Sequence, residues 1–140
     1  MKLRIILISA ISAIVVLLLS GFFTGFFNKS ESYTKTAGIN ASQVDKITVQ
    51  TGWGKNITIT SKDEINAVIT YLDSYKYKRN DFLLLYVGNL YNMGFYNGKK
   101  EVATLRTGMY PIINNQKYET NIKMDSDKIQ KIVGLYIPKR

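Results

Sequence analysis

The side chains that could do chemistry in this chain are few in kind. Its 140 residues include no histidine and no cysteine, so the usual general base, imidazole metal ligand and thiol nucleophile are missing. Ten carboxylates remain. Asp63, Glu64, Asp125 and Asp127 stand where helices should begin, and the helix dipole accounts for negative charge there. The others form no evident pair of the kind that faces itself across a sugar in glycoside hydrolysis. Ser32-Tyr33-Thr34-Lys35 matches S-x-x-K, and Lys35-Thr36-Ala37-Gly38 echoes K-T-G. The catalytic version needs its serine at a helix start inside a large domain, with S-D-N elsewhere, and neither context is evident here. The sequence thus points away from an enzyme: no catalytic residue, no cofactor and no metal site are expected. A carboxylate-dependent cell-envelope enzyme is the lesser alternative.

What must position any functional group is set by Ile5 to Phe27, 23 residues without a charge, of which 17 are Ala, Val, Ile, Leu or Phe. As a helix this stretch reaches about 34 Å, enough for a hydrocarbon core of about 30 Å. Lys2 and Arg4 precede it, so the short N-terminal side is expected in the cytoplasm and the C-terminal part outside. The apolar run exceeds that of a signal peptide, and Phe22, Phe23, Phe26 and Phe27 occupy its end where small residues would mark cleavage. A retained single-pass anchor in the cell membrane is the expectation. Cleavage near Ser30-Glu31-Ser32, giving a secreted factor, is the alternative. Gly21 and Gly25 form a G-x-x-x-G pair through which two such helices could form a weak homodimer.

Residues 1–27 are therefore read as the anchor, 28–43 as a polar linker and 44–140 as one extracytoplasmic domain. Beyond the anchor the chain carries 17 basic residues against ten acidic ones. A surface of that balance favours anions, and outside a cell those are lipid headgroups and acidic envelope polymers; another envelope protein is the alternative partner, and nucleic acid is not expected at that location.

Within the domain, Asp45 to Gln50 and Asn56 to Thr60 alternate as two strands around a glycine-flanked tip that carries Trp53. That tryptophan either meets a partner or folds back as a cap on the core. Ser61-Lys62-Asp63-Glu64 reads as a capping box, and Ile65, Val68, Ile69 and Leu72 follow at helical spacing. Tyr75-Lys76-Tyr77-Lys78-Arg79 alternates aromatic and basic residues: a grip for a polyanion, or one buried and one solvated strand face. These five and Trp53 are the candidate partner contacts. Phe82 to Val87 suits a central strand. Leu90 to Tyr96 and Glu101 to Arg106 flank Asn97-Gly98, and Met109 to Ile113 and Gln116 to Thr120 flank Asn114-Asn115, with Pro111 suggesting an edge. Asp125 caps a final helix that presents Ile129, Ile132, Val133 and Tyr136, is weakened by Gly134 and ends at Pro138.

The expected class is α+β: a transmembrane helix, then an antiparallel sheet of about six to seven strands with two helices on one face. Val44-Asp45-Lys46-Ile47, Ile59 to Ile65 and Leu72 to Tyr77 together resemble small uncharacterised exported or membrane-anchored proteins of Gram-positive bacteria, many of them lipoproteins. The lipid-bearing cysteine of those proteins is absent. The resemblance implies an address and a fold, and no activity.

Overall fold

A computed structural model describes residues 29–82 and 91–134. The apolar stretch Ile5 to Phe27, the Gly21 and Gly25 pair, most of the expected strand Phe82 to Val87, and Tyr136 to Pro138 lie outside the described residues. Among the described residues no helix is long and apolar enough to cross a membrane.

The described chain is α+β. Seven antiparallel strands form one sheet: β1 (Lys46–Thr51), β2 (Asn56–Ile59), β3 (Tyr77–Arg79), β4 (Tyr91–Asn97), β5 (Lys100–Arg106), β6 (Ile112–Ile113) and β7 (Gln116–Thr120). Their spatial order is β2-β1-β4-β5-β6-β7-β3, so β2 and β3 are the edges. Three α-helices accompany them, α1 (Tyr33–Ala37), α2 (Lys62–Asp73) and α3 (Ser126–Ile132), with a 3-10 turn at Ala41–Gln43.

Period-two alternation decides which sheet face is covered. Ile47 and Val49 of β1, Tyr91, Met93 and Phe95 of β4, and Ala103 and Leu105 of β5 are buried. They meet Ile65, Val68, Ile69 and Leu72, the apolar stripe of α2. Ile129 of α3 and Val133, the residue that caps its end, close the same core.

The polar linker expected over 28–43 is corrected. Tyr33 is fully buried, its ring 5.1 Å from Phe95 and 6.0 Å from Tyr77 between centroids. Glu31 pairs with Tyr77 through two backbone hydrogen bonds of 3.0 and 2.8 Å. Thr34 donates from its N–H and its hydroxyl to Asp73, at 2.8 and 3.1 Å, which fastens α1 to the end of α2. Polar composition hid one aromatic anchor, and one anchor was enough.

Local expectations are tested in five further places. Ser61 is the cap residue of α2, but its hydroxyl makes no capping bond, so Asp63 and Glu64 in the first turn supply the favourable end charge instead. Asp125 does cap α3, accepting from the N–H groups of Asp127 and Lys128. Pro111 precedes a β6 that lies between β5 and β7, not at an edge; its carbonyl accepts from Tyr118 N–H, a bond that needs no donor from proline. The β4–β5 turn falls one residue later than expected, with Asn97 opposite Lys100, because a bulge after Phe95 shifts the register. Asn114 and Asn115 both take positive φ, 48° and 64°, as a two-residue hairpin turn requires.

The joint between α2 and α3 is a closed loop of hydrogen bonds. Tyr71 donates its hydroxyl proton to the Asp125 carbonyl at 2.9 Å, so the 2.6 Å bond between Tyr71 and Tyr75 must be donated by Tyr75. Tyr75 in turn accepts from Asp125 N–H at 3.2 Å.

Two predictions follow from the buried tyrosines. The Tyr33 hydroxyl has no partner among the described residues, whereas that of Tyr77 donates to Leu72 carbonyl at 3.1 Å. In urea unfolding followed by Trp53 fluorescence, Tyr33→Phe should leave stability equal or higher, and Tyr77→Phe should lower it by about 1 kcal/mol. Burial pushes both phenols well above their ordinary value, with neighbouring tyrosines and Asp73 adding to the shift. The unfolded chain releases these protons from about pH 10, where the folded chain holds them. Their contribution is therefore full below about pH 10 and is lost as pH rises towards the folded values; the urea midpoint should fall between pH 8 and pH 11.

Candidate functional site

Among the described residues two surfaces stand out once the core is closed. The first is the sheet face that no described element covers. Cross-strand register sets Thr48 and Thr104 on either side of Gly94, Gln50 and Arg106 on either side of Asn92, and Lys46 and Glu101 on either side of Tyr96. All of these but Lys46 and Tyr96 line a shallow polar concavity of about 450 Å³, reaching Asn115 at its rim. Glycine at 94 is what allows its shape: a β-carbon there would lie 2.6 Å from Glu101 Oε1 and 3.0 Å from Thr48 Oγ1. Glu101 folds across the vacant position and accepts from the Tyr96 hydroxyl at 2.9 Å. Lys46 Nζ stands 4.2 Å from the centre of the Tyr96 ring, a cation–π contact. Asn92 Oδ1 is buried without a hydrogen-bond partner among the described residues.

The second surface is a groove of about 200 Å³ along edge strand β3, bounded by the segment before α1, by α1 itself and by β7. Lys29, Lys35 and Arg79 line it with Glu31, Thr36, Tyr77, Gln116 and Tyr118. Lys29 pairs with Glu31 at 3.2 Å, and Asp81 holds Arg79 through Nε at 3.0 Å. Both pairs are solvent-exposed, a class worth at most about 1 kcal/mol, so both can exchange for another anion. The Tyr118 hydroxyl donates to Gln116 Oε1 at 3.1 Å, and burial pushes its phenol up while the nearby Arg79 guanidinium pulls it down.

The candidate contacts expected from sequence do not act as one set. Tyr75 and Tyr77 are buried, with Tyr75 committed to the α2–α3 joint, so neither ring can stack on a ligand. Lys76, Lys78 and Arg79 are exposed, but Lys76 and Lys78 do not line the groove. Trp53 combines both expectations, half-exposed at its hairpin tip and edge-on to Tyr91 with ring centres 6.0 Å apart. Lys29 and Lys35, which complete the groove, fall in the stretch read as linker, and only the folding of α1 brings them to Arg79. The open-face residues gave no signal beyond polar positions alternating with apolar ones.

The acids are individually committed. Asp45 accepts from Gly98 N–H, Asp73 from Thr34, and Glu119 from the Asn80 amide. Glu31, Asp81 and Glu101 take the contacts described above, and Asp63, Glu64, Asp125 and Asp127 sit at helix starts. Among the described residues no three of them gather where a metal ion could be held. Ser32 does stand at the start of a helix, as the S-x-x-K pattern would need, but its recorded side-chain contact is Thr34 Oγ1 at 3.3 Å. Compared with family models, with curated proteins and with solved structures, the chain matches none.

If Gly94 exists to admit Glu101, the two positions are coupled. Gly94→Ala should cost about 1 kcal/mol in the native background and clearly less in Glu101→Ala, a coupling that a double-mutant cycle in urea would measure. Equal costs in both backgrounds would show that the glycine serves something else.

Proposed function

We propose that this chain is a membrane-tethered binding module of the cell envelope, held by Ile5 to Phe27 in a single pass, with its N-terminus cytoplasmic and its α+β domain outside. The observation that carries the reading is how soon the domain begins. Glu31, four positions after Phe27, is already paired with β3, and Tyr33 is fully buried. The domain is thus built to stand directly on whatever holds the apolar stretch. Cleavage near Ser30-Glu31-Ser32 would remove a strand pairing that the fold uses, which favours retention over a secreted factor. The dispersal of the ten acids, each in a local structural contact or at a helix start, favours binding over catalysis. The likeness to small exported or anchored proteins of Gram-positive bacteria is consistent with this address. Among ligands, the formal excess of basic residues favours an anionic envelope surface over a neutral one.

A C-terminally tagged chain tests this. In fractionated cells it should stay with membranes after alkaline carbonate washing, lose its tag when intact cells are treated with protease, and keep an intact N-terminus by mass. A soluble product beginning near Tyr33 would make it a secreted factor, and a tag protected in intact cells would reverse the orientation.

A further inference from the structure

We propose that the groove along β3 is a seat for the phosphate of an anionic lipid headgroup in the outer leaflet, an inference that rests on the tethered reading above. Three cations, Lys29, Lys35 and Arg79, come to it from three separate segments, against one carboxylate in its lining, Glu31. Lys29 and Arg79 hold their carboxylates in exposed pairs, which a phosphate reached by all three cations can replace. Arg79 engages Asp81 through Nε alone in the recorded contacts, and a guanidinium fork has further N–H groups with which to clasp phosphate oxygens.

The groove also stands at the right height. The apolar stretch ends at Phe27, two residues before Lys29, a gap of at most about 7 Å. Glu31 pairs antiparallel with Tyr77, which brings Lys29 level with Arg79. Antiparallel direction therefore runs the end of β3, at Arg79, the same way as the chain from Glu31 back to Lys29. In the turn that follows β3, Phe82 is 92 % exposed, an apolar ring with no described residue covering it, as suits the interfacial zone of a bilayer. Cations close to an anionic leaflet gain from its surface potential, and a groove that collects three of them concentrates that gain at one headgroup.

The test uses the full chain in phosphatidylcholine vesicles, with and without about one-third phosphatidylglycerol, and follows lysine acylation by peptide mass spectrometry. Phosphatidylglycerol should slow labelling of Lys29 and Lys35 about fivefold while Lys131 of α3 labels at an unchanged rate. Arg79→Gln should abolish the protection of Lys35, and Lys35→Gln that of Lys29. Lys78→Gln removes the same charge from the adjacent, outward position of β3 and should leave protection intact. Equal labelling in both vesicles overturns the proposal. So does a Lys78→Gln effect as large as that of Arg79→Gln, which would mean diffuse attraction without a seat. Inorganic phosphate added to pure phosphatidylcholine vesicles should not protect; protection equal to that by phosphatidylglycerol would make the groove a soluble-anion site and overturn the lipid assignment. Carbonate extraction separates the two readings: a chain that washes off the vesicles refutes the tether, whereas one that stays embedded with unprotected lysines refutes only the groove.

Discussion

Burial of Tyr33 is the contact on which the rest of the arrangement depends. Its ring fills the space between Phe95 of the central strand β4 and Tyr77 of the edge strand β3, at full burial. A buried aromatic side chain is worth several kcal/mol of core stability, far more than any surface pair nearby. By holding Tyr33, the sheet fixes α1, and by fixing α1 it brings Lys35 and Thr36 over the β3–β7 edge where Arg79 and Tyr118 wait. The groove is therefore a by-product of closing the core. Its geometry is as stable as the core itself, although every cation in it is exposed.

Charge in this domain is organised by what the acids do more than by where the bases lie. Each carboxylate answers a local need: a helix start, an N–H at a turn, a hydroxyl beside a glycine. Among the described residues no three acids gather where a cation could be held. The bases, more numerous, are left with few internal partners. Such a surface can act on an anion by attraction and shape alone, without bond making, which is why binding is the reading that its electrostatics support.

Legibility followed the range over which each feature is determined. Contiguous periodic patterns were readable: the apolar stripe of α2, the Asp125 cap, and the hairpin around Asn114 and Asn115, whose positive φ angles are a property of two adjacent residues. The groove was half readable. Alternation in Tyr75 to Arg79 separated buried tyrosines from exposed cations, but nothing local could say that Arg79 would be joined by Lys29 and Lys35 from a polar stretch more than forty residues upstream. That contact exists only through Tyr33, one aromatic among serines and threonines, and a single residue carries no period. Pro111 misled for a related reason, since a proline just outside a two-residue strand leaves the ladder intact and says nothing about which strand lies beside it.

Strand order relates the two surfaces to one another. The groove lies on β3, the last strand of the sheet, while the polar concavity spans β5, β4 and β1. With neighbouring strands about 4.8 Å apart, the concavity is about 14 to 24 Å along the sheet from β3, and the free edge β2 about 29 Å. On the tethered reading, three residues separate the apolar stretch from the first pairing with β3, so this edge is the one held down. The concavity offers the hydrogen-bonding groups of Gln50, Asn92 and Thr104 together with the charges of Glu101 and Arg106. On that reading the fold keeps two kinds of surface apart: a groove lined mainly by cations beside the tether, and, strands away, a polar face opened by the missing side chain of Gly94 in which Glu101 and Arg106 carry opposite charges.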